Sequence, residues 1–231
     1  PTGVETFYIP QDGKGVAAIP YAILTAFVDD GIQILDLSDP EHWPLAAQRS
    51  GYPGGSFTGS AGGIVAAGAY SNATDAADGF ENLNGAIDVA VWNTTAKAHY
   101  GIVVAQLDNS FTILDLQDPT AKLFEKQIAN GSGTYGTSWD ITAPTAVSVF
   151  EVDGTNHYVA AIATNGTTGS GVSLIDLYIP SNPQPLTTVI RDGQVGSDGT
   201  LFNLLGDAQS IDTFTLKGIH YAAVTSYDDD A

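Results

Sequence analysis

Residues 99–119 read HYGIVVAQLDNSFTILDLQDP and contain two strands with the turn between them. Residues 100–106 are apolar on both alternating faces, a pattern typical of a strand that is covered on each side. Asp108 and Asn109 then supply residue types that tolerate the positive φ of a hairpin turn, and residues 111–116 return as a second apolar run. The stretch therefore predicts a β-hairpin that is buried on both faces.

The same pattern recurs three more times along the chain. Its copies are YAILTAFVDDGIQILDLSDP at 21–40, HYVAAIATNGTTGSGVSLIDLYIP at 157–180 and HYAAVTSYDDDA at 220–231. A further strand is predicted before each copy, at 4–9, 86–92, 146–152 and 211–216, and another after the first three, at 45–48, 123–128 and 186–190. These strands define four units, at about 1–50, 84–130, 144–193 and 208–231, with an insertion at about 51–83.

Four-stranded antiparallel units that are apolar on both faces bury those faces by stacking on copies of themselves, commonly around an axis. No segment shows helical periodicity with capping residues over ten or more positions. The predicted fold is therefore all-β, a β-propeller-like array of about three and a half four-stranded antiparallel blades in a single repeat domain, the last of them half built.

The strings DDGIQILDLSDP, NSFTILDLQDP and SGVSLIDLYIPSNPQPL, each after a Tyr-led aliphatic strand, resemble the LVIVD-type repeats of extracellular β-propeller proteins. The resemblance covers most of the chain, but the usual Asp-Pro is replaced by Ile179-Pro180, and residues 51–85 match no blade element. It implies a propeller-like fold at the cell surface, and it carries no catalytic motif.

Composition excludes several classes of partner. The chain has 7 Lys and Arg against 26 Asp and Glu, a formal charge of -19, which repels nucleic acid and anionic membrane surfaces. The absence of Cys excludes disulfides and thiolate chemistry. No apolar run is long enough to span a bilayer, so we expect no membrane insertion. The chain opens at Pro1 without Met or a signal peptide, as expected of a processed or excerpted chain.

Four Asn-x-Ser/Thr tripeptides favour a secreted, extracellular or cell-surface protein. They are more than composition alone predicts, and they begin at Asn72, Asn93, Asn130 and Asn165. All four occur in Gly-, Ser- and Thr-rich stretches that are typical of exposed loops, where a glycan is tolerated. We therefore predict a glycoprotein that carries glycans on at least two of these residues.

Acidic residues occur in two patterns. Asp36, Asp115 and Asp176 close equivalent strands, where an Asp side chain accepts hydrogen bonds from the following turn; the alternative is a carboxylate ring lining a cation mouth. Acidic Gly-rich turns supply the oxygen ligands that calcium prefers, although no stretch follows the EF-hand pattern. The calcium candidates are Asp29, Asp30, Asp192, Asp198, Asp228, Asp229 and Asp230.

Other residue types point to packing rather than to chemistry. His99, His157 and His220 occupy one repeat position, so we expect a repeated structural role instead of a three-His metal site. No nucleophile elbow is present and residues 54–63 lack the Lys of a phosphate-binding loop, so no catalytic residue is predicted. Exposed aromatic residues can stack on sugars; Trp92 is expected in a core, whereas Trp139 is a candidate for exposure.

Two functions remain open at this stage. We favour a non-enzymatic structural or adhesive protein that binds copies of itself, because no acid and base pair occurs in a recognisable motif. The alternative is a propeller enzyme or lectin-like module that acts on extracellular carbohydrate. An axial pocket lined by aromatic residues with two carboxylates near a docked sugar would favour the alternative.

The last unit predicts how copies join. Its strand after His220 is apolar enough to be central, yet no third strand follows it within the sequence. Unpaired strand edges recruit further strands, and contacts that do not close give filaments. The predicted assembly edge comprises Tyr221, Ala223, Thr225 and Tyr227, through which copies form an open head-to-tail polymer or a closed dimer.

Overall fold

The computed structural model describes residues 1–10, 18–28, 30–38, 66–71, 82–94, 99–117, 124–129, 139–152, 154–166, 169–186, 190–196 and 199–227. Unit I contains β1 (Val4–Ile9), β2 (Ile19–Ala26), β3 (Gly31–Asp36) and β4 (Ala66–Ser71). Unit II contains β5 (Ala86–Asn93), β6 (His99–Ala105), β7 (Ser110–Asp115) and β8 (Phe124–Ala129). Unit III contains β9 (Pro144–Glu151), β10 (Tyr158–Gly166), β11 (Gly169–Asp176), β12 (Gln184–Pro185) and β13 (Ile190–Arg191). Unit IV is the hairpin of β16 (Ala208–Leu216) and β17 (Ile219–Ser226), and a small hairpin of β14 (Gln194–Val195) and β15 (Leu201–Phe202) precedes it.

Each unit is an antiparallel sheet whose strands follow in chain order. In unit III both β12 and β13 pair with β11 at the outer position. The all-β, β-propeller-like array of four-stranded units with a two-stranded last unit is therefore confirmed. Within the described ranges, no helix is long and apolar enough to cross a membrane.

The outer strand of unit I lies elsewhere than predicted. The strand that pairs with β3 is Ala66–Ser71, inside the stretch assigned to an insertion at about 51–83, so unit I extends past residue 50. The predicted strand at 45–48 falls outside the described residues. The sequence AAGAYS consists of small and only weakly apolar residues, and its strand signal was missed for that reason.

Successive units stack face to face. Phe7, Tyr21 and Ile23 of unit I pack with Val89 and Val103 of unit II in one core. Trp92 and Ile102 of unit II pack with Val147 and Ile162 of unit III in a second, and Ala161 of unit III packs with Ile211 of unit IV in a third. The first strands β1, β5, β9 and β16 consequently lie side by side around a common axis.

A repeated hydrogen bond joins each unit to the next. The residue that precedes the first strand donates its backbone N–H to the preceding unit's second hairpin. Gly85 N donates to Asp30 Oδ1 at 2.9 Å, Ala143 N to Asn109 Oδ1 at 2.7 Å, and Asp207 N to Ser170 Oγ at 2.9 Å. The three donor residues have positive φ values of 70°, 44° and 52°. We call this bond the inter-unit latch.

Candidate functional site

Equivalent positions of the first strands converge at the axis. Each first strand carries an aromatic residue that packs within its unit or on the next, and the residue two positions earlier lies on the same strand face. Those earlier residues are Glu5 of β1, Ala90 of β5, Ser148 of β9 and Asp212 of β16. Because the first strands lie side by side, this position recurs at one level across them, and Ser148 Oγ of β9 lies 3.4 Å from Asp212 Oδ1 of β16.

Asp88 of β5 is a third carboxylate near Glu5. It lies on the same face of β5 as Ala90, and its Oδ2 accepts a hydrogen bond of 2.9 Å from the backbone N–H of Val147 in unit III. Its Oδ1 approaches unit I so closely that a Cβ on Gly3 would lie 2.7 Å away. Glycine at position 3 is therefore what allows Asp88 to bridge units I and III.

Asp212 belongs to a network of small polar groups. Its Oδ1 accepts a 2.8 Å hydrogen bond from the backbone N–H of Thr213, and Ser148 Oγ lies 3.4 Å from the same oxygen. The hydroxyls of Ser148 and Thr213 are 2.8 Å apart. These contacts fix the Asp212 carboxylate against β9 while leaving the residue exposed.

Burial and neighbouring charges act on the carboxyl group of Glu5, and burial acts on that of Asp88. Partial burial of its carboxyl raises the pKa of Glu5, the backbone N–H of Thr6 opposes that shift, and the negative charges of Asp88 and Asp212 raise it further. Burial also raises the pKa of Asp88, against hydrogen bonds from the backbone N–H groups of Val147 and Val89. The axis therefore favours protonation of Glu5 beside carboxylates of other units.

This group, which we call the axial carboxylates, consists of Glu5, Asp88 and Asp212. Within the described residues none of the three forms an ion pair, and no set of acidic or His side chains there has the geometry of a metal site. Carboxyl groups in this state accept hydrogen bonds from hydroxyl groups, and a protonated one also donates. The arrangement suits recognition of a polyhydroxylated ligand and, with one carboxyl protonated, acid–base chemistry.

The axial carboxylates were not predicted from the sequence. Glu5, Asp88 and Asp212 are far apart along the chain and come together only because the units stack. A signal was present in the strings Glu5-Thr-Phe7, Ser148-Val-Phe150 and Asp212-Thr-Phe214. Aligning the first strands on their aromatic residues would have placed these polar side chains at one level.

The carboxylates that close the third strands have the predicted structural role. Asp36 Oδ1 accepts from Ser38 N at 2.8 Å, Asp115 Oδ1 from Gln117 N at 3.0 Å, and Asp176 Oδ1 from Tyr178 N at 2.7 Å. Each bond spans two residues and stabilises the turn after the strand. The alternative of a cation-lined mouth at these three residues gains no support.

Two of the calcium candidates, Asp30 and Asp192, lie within the described residues. Asp30 uses one oxygen in the latch to Gly85, and Asp192 Oδ1 accepts from Leu205 N at 3.1 Å. Asp29, Asp198, Asp228, Asp229 and Asp230 lie outside the described residues. Calcium binding by these turns stays a prediction.

The three repeated His residues have separate environments. His157 Nε2 lies 2.8 Å from Asp176 Oδ1 of its own unit, and His220 Nδ1 lies 2.9 Å from Thr215 Oγ1 of its own hairpin. His99 is only 5% exposed, and within the described residues neither ring nitrogen has a hydrogen-bond partner. Burial lowers the pKa of His99. These contacts agree with the expected structural role.

The two described Trp side chains are both in the core. Trp92 is 4% exposed, as predicted, and Trp139 is 1% exposed, so the expectation that Trp139 is available to a ligand is wrong. Trp139 packs edge-on against Phe111, with ring centroids 5.6 Å apart, where units II and III meet. The Gly- and Ser-rich sequence around Trp139 suggested a loop, but the unit interface buries the indole.

Two of the predicted glycan acceptors can be located. Asn93 is the last residue of β5 and is exposed. Asn165 lies near the end of β10, and its amide nitrogen, the atom that a glycan would modify, donates to Asp207 of unit IV. Asn72 and Asn130 lie outside the described residues. Glycosylation stays a prediction, and Asn93 has the more accessible side chain.

The assembly edge needs a correction in detail. Lys217 and Gly218 both have positive φ, and this two-residue turn makes Leu216 and Ile219 a hydrogen-bonded pair. Hydrogen-bonded pairs then alternate, so Tyr221, Ala223 and Thr225 direct their backbone groups toward β16, and Tyr227 N donates to Asp207 O at 3.2 Å. The backbone groups that point outward belong to the alternate residues His220, Ala222 and Val224.

No protein-family model and no curated protein sequence matches the chain. Among solved structures it is similar to an exo-beta-1,3-galactanase from Clostridium thermocellum, at a TM-score of 0.47 and 10% identity over 96% of this chain and 41% of that one. A GH43 beta-1,3-galactosidase is similar at a TM-score of 0.45 and 10% identity, over 87% of this chain and 34% of that one. An exo-1,5-alpha-L-arabinanase from a bovine ruminal metagenomic library is similar at a TM-score of 0.44 and 10% identity, over 95% of this chain and 68% of that one. The chain thus spans about two fifths or less of the first two enzymes, and the likeness concerns fold alone.

Proposed function

We propose that this chain is a propeller module that acts on extracellular carbohydrate through the axial carboxylates. The observation that supports the proposal is that Glu5, Asp88 and Asp212 come from three units to one axis, where burial and then the charges of Asp88 and Asp212 raise the pKa of Glu5. Sugar hydroxyl groups are the partners that such a set of acceptors and one donor would bind. The sugar site that we expected also included exposed aromatic residues. Trp92 and Trp139 are buried, so this proposal does not include them.

The chemistry proposed for the site follows from its protonation. Hydrolysis of a glycosidic bond needs one carboxyl that gives a proton to the leaving oxygen and a second that is ionised. Glu5 is the proposed proton donor, since burial and two neighbouring carboxylates favour its protonated form. Asp212, held by Thr213 and Ser148, is the proposed second carboxyl group.

Electrostatics narrows the ligand class. The net charge of -19 disfavours uronic acids and sulfated sugars. The proposed ligands are therefore neutral glycans. Neutral galactans and arabinans, the polymers named for the similar structures, are the first to test.

The experiment measures both binding and hydrolysis. The purified chain is incubated with a panel of neutral and anionic polysaccharides, and glycan binding and the release of reducing ends are recorded. We expect binding to a neutral glycan that Glu5→Gln and Asp212→Asn weaken about tenfold or more, the effect of losing about 1.4 kcal/mol. Asp36→Asn is the matched control, because Asn preserves the turn acceptor away from the axis.

Two results would overturn the proposal. One is no binding and no hydrolysis on any glycan of the panel. The other is unchanged glycan binding in both axial variants. Binding without hydrolysis would assign a lectin-like role, which lies within the proposal.

We also propose that the protein is secreted or displayed at the cell surface. The Asn-x-Ser/Thr tripeptides, the resemblance to LVIVD-type repeats and the exposed Asn93 support this location. Intact-mass measurement of the native protein should exceed the 24.0 kDa of the bare chain, and Asn93→Gln should remove one glycan mass. A native mass equal to the bare chain would count against glycosylation.

A structural or adhesive role is the second candidate. The observation that favours it is the exposed apolar side of unit IV, and this role does not exclude carbohydrate binding at the axis.

A further inference from the structure

Unit IV presents an apolar surface to solvent. Four large side chains of its hairpin lie on one face, and their exposed fractions are 49% for Phe214, 55% for Leu216, 57% for Ile219 and 42% for Tyr221. Phe214 and Tyr221 are cross-strand partners whose rings stack at a centroid distance of 5.4 Å. We call these four residues the open face of unit IV.

The same face is buried in the earlier units. Phe7 and Tyr21 of unit I form the equivalent stacked pair, at 5.5 Å, and are 3% and 6% exposed. Trp92 and Tyr100 of unit II stack at 5.5 Å, and both belong to the core that unit II forms with unit III. In both units the stacked pair is therefore the contact with the following unit.

The opposite face of unit IV is already occupied. Ile211 is 6% exposed and packs with Ala146 and Ala161 of unit III. His220 lies against Phe150 of unit III, with ring centroids 5.0 Å apart. Unit IV is thus stacked like the other units, with its open face directed away from unit III.

Unit I lacks the contact that the open face would make. Three residues before the first-strand aromatic, each unit has an aliphatic residue that packs on the preceding unit. Val89, Val147 and Ile211 in this position are 2%, 5% and 6% exposed, whereas Val4 of unit I is 61% exposed. Tyr8, on the same side of β1, is also 61% exposed. We call Val4 and Tyr8 the receiving face of unit I.

We propose that a second copy of this chain docks the receiving face of its unit I onto the open face of unit IV. Each copy carries both halves of one unit-to-unit contact, and within a single copy both halves are exposed, so they do not meet. The contact continues the three interfaces inside the chain with the same residue types in the same register. It is a head-to-tail contact, which propagates into an oligomer or filament.

Charge sets the conditions for this association. Copies of net charge -19 repel each other, and salt screens that repulsion over a Debye length of about 8 Å at physiological ionic strength. An apolar contact between acidic copies should therefore tighten as salt concentration rises. A contact held by ion pairs would weaken.

The test is sedimentation velocity over a range of protein and salt concentrations. Tyr221→Asp blocks the open face, Val4→Asp blocks the receiving face, and each variant alone should be monomeric, with association weakened about tenfold or more. Tyr178→Asp is the matched control, since Tyr178 is 64% exposed and lies outside both faces. Circular dichroism confirms that each variant keeps its sheets.

Mixing the two blocked variants gives the decisive measurement. Tyr221→Asp retains a receiving face and Val4→Asp retains an open face, so the mixture should form a one-to-one dimer that extends no further. A wild-type chain that stays monomeric at every concentration and salt level would overturn the proposal, as would a folded Tyr221→Asp variant that associates like wild type. A monomer whose open face is protected from solvent labelling only by an added glycan or another protein would assign the face to that occupant instead.

Discussion

Strands β6 and β17 contain the same His-Tyr pair near their start and occupy the same place in their units. β6 lies between β5 and β7, and its residues from Ile102 to Ala105 are fully buried, whereas β17 pairs only with β16 among the described strands and most of its residues are exposed. One pattern thus occurs in two environments. It specifies the neighbours that a strand is suited to, and the stacking of units determines whether those neighbours are present.

The largest expected effect comes from one substitution made in both strands. Val103 of β6 is fully buried and Val224, at the equivalent position of β17, is half-buried. Removing two methyl groups should lower the free energy of unfolding by about 2 kcal/mol for Val103→Ala and by under about 1 kcal/mol for Val224→Ala. Chemical denaturation measures both. Equal losses would mean that β17 is covered in solution.

The next effect concerns the latch after β6. Asn109→Ala removes the acceptor for Ala143 N and places Ala at a φ of 51°, which together should cost about 1 to 2 kcal/mol. Asn109→Asp keeps the acceptor and should recover most of the stability. If Asn109→Ala unfolds at the wild-type denaturant midpoint, the latch contributes nothing and stacking alone joins the units.

A smaller, pH-dependent effect is expected at His99. Burial lowers the pKa of His99, so the unfolded chain binds a proton more readily than the folded chain, and stability should fall as the pH drops below the ordinary value of 6.5. His99→Leu should reduce this loss of melting temperature on acidification. If His99→Leu leaves the pH dependence of the melting temperature unchanged, folding does not change the pKa of His99.

The smallest effect is at the axis. Because the pKa of Glu5 is raised in the folded state, its contribution to stability is complete below the ordinary value of 4.5 and is lost as pH rises through the raised pKa. Glu5→Gln should therefore stabilise the fold at neutral pH, by under about 1 kcal/mol because water screens an exposed charge. The gain should vanish below pH 4.5, and a gain that persists in acid would point to packing instead.

Local patterns predicted what depends on neighbours in sequence. The central strands, the outer strand Phe124–Ala129 and the turn role of Asp36 follow from alternation and from Asp placed at a strand end. The burial of Trp139 and the outer strand Ala66–Ser71 did not follow, because each depends on a neighbouring sheet. The axial carboxylates were not predicted for the same reason, since only the stacking of units brings Glu5, Asp88 and Asp212 together.

The latch has a direction, and this bears on how the chain folds during synthesis. The acceptor side chain in the hairpin of one unit is synthesised before the residue that donates its backbone N–H. Asp30 precedes its donor Gly85, and Asn109 precedes its donor Ala143. Strands within a unit follow one another in sequence, so each unit can close before the next emerges from the ribosome. A folded unit then presents an apolar face and a hydrogen-bond acceptor on which the next unit can pack. We therefore expect the sheets to form in order from the N-terminus, each seeding the one after it.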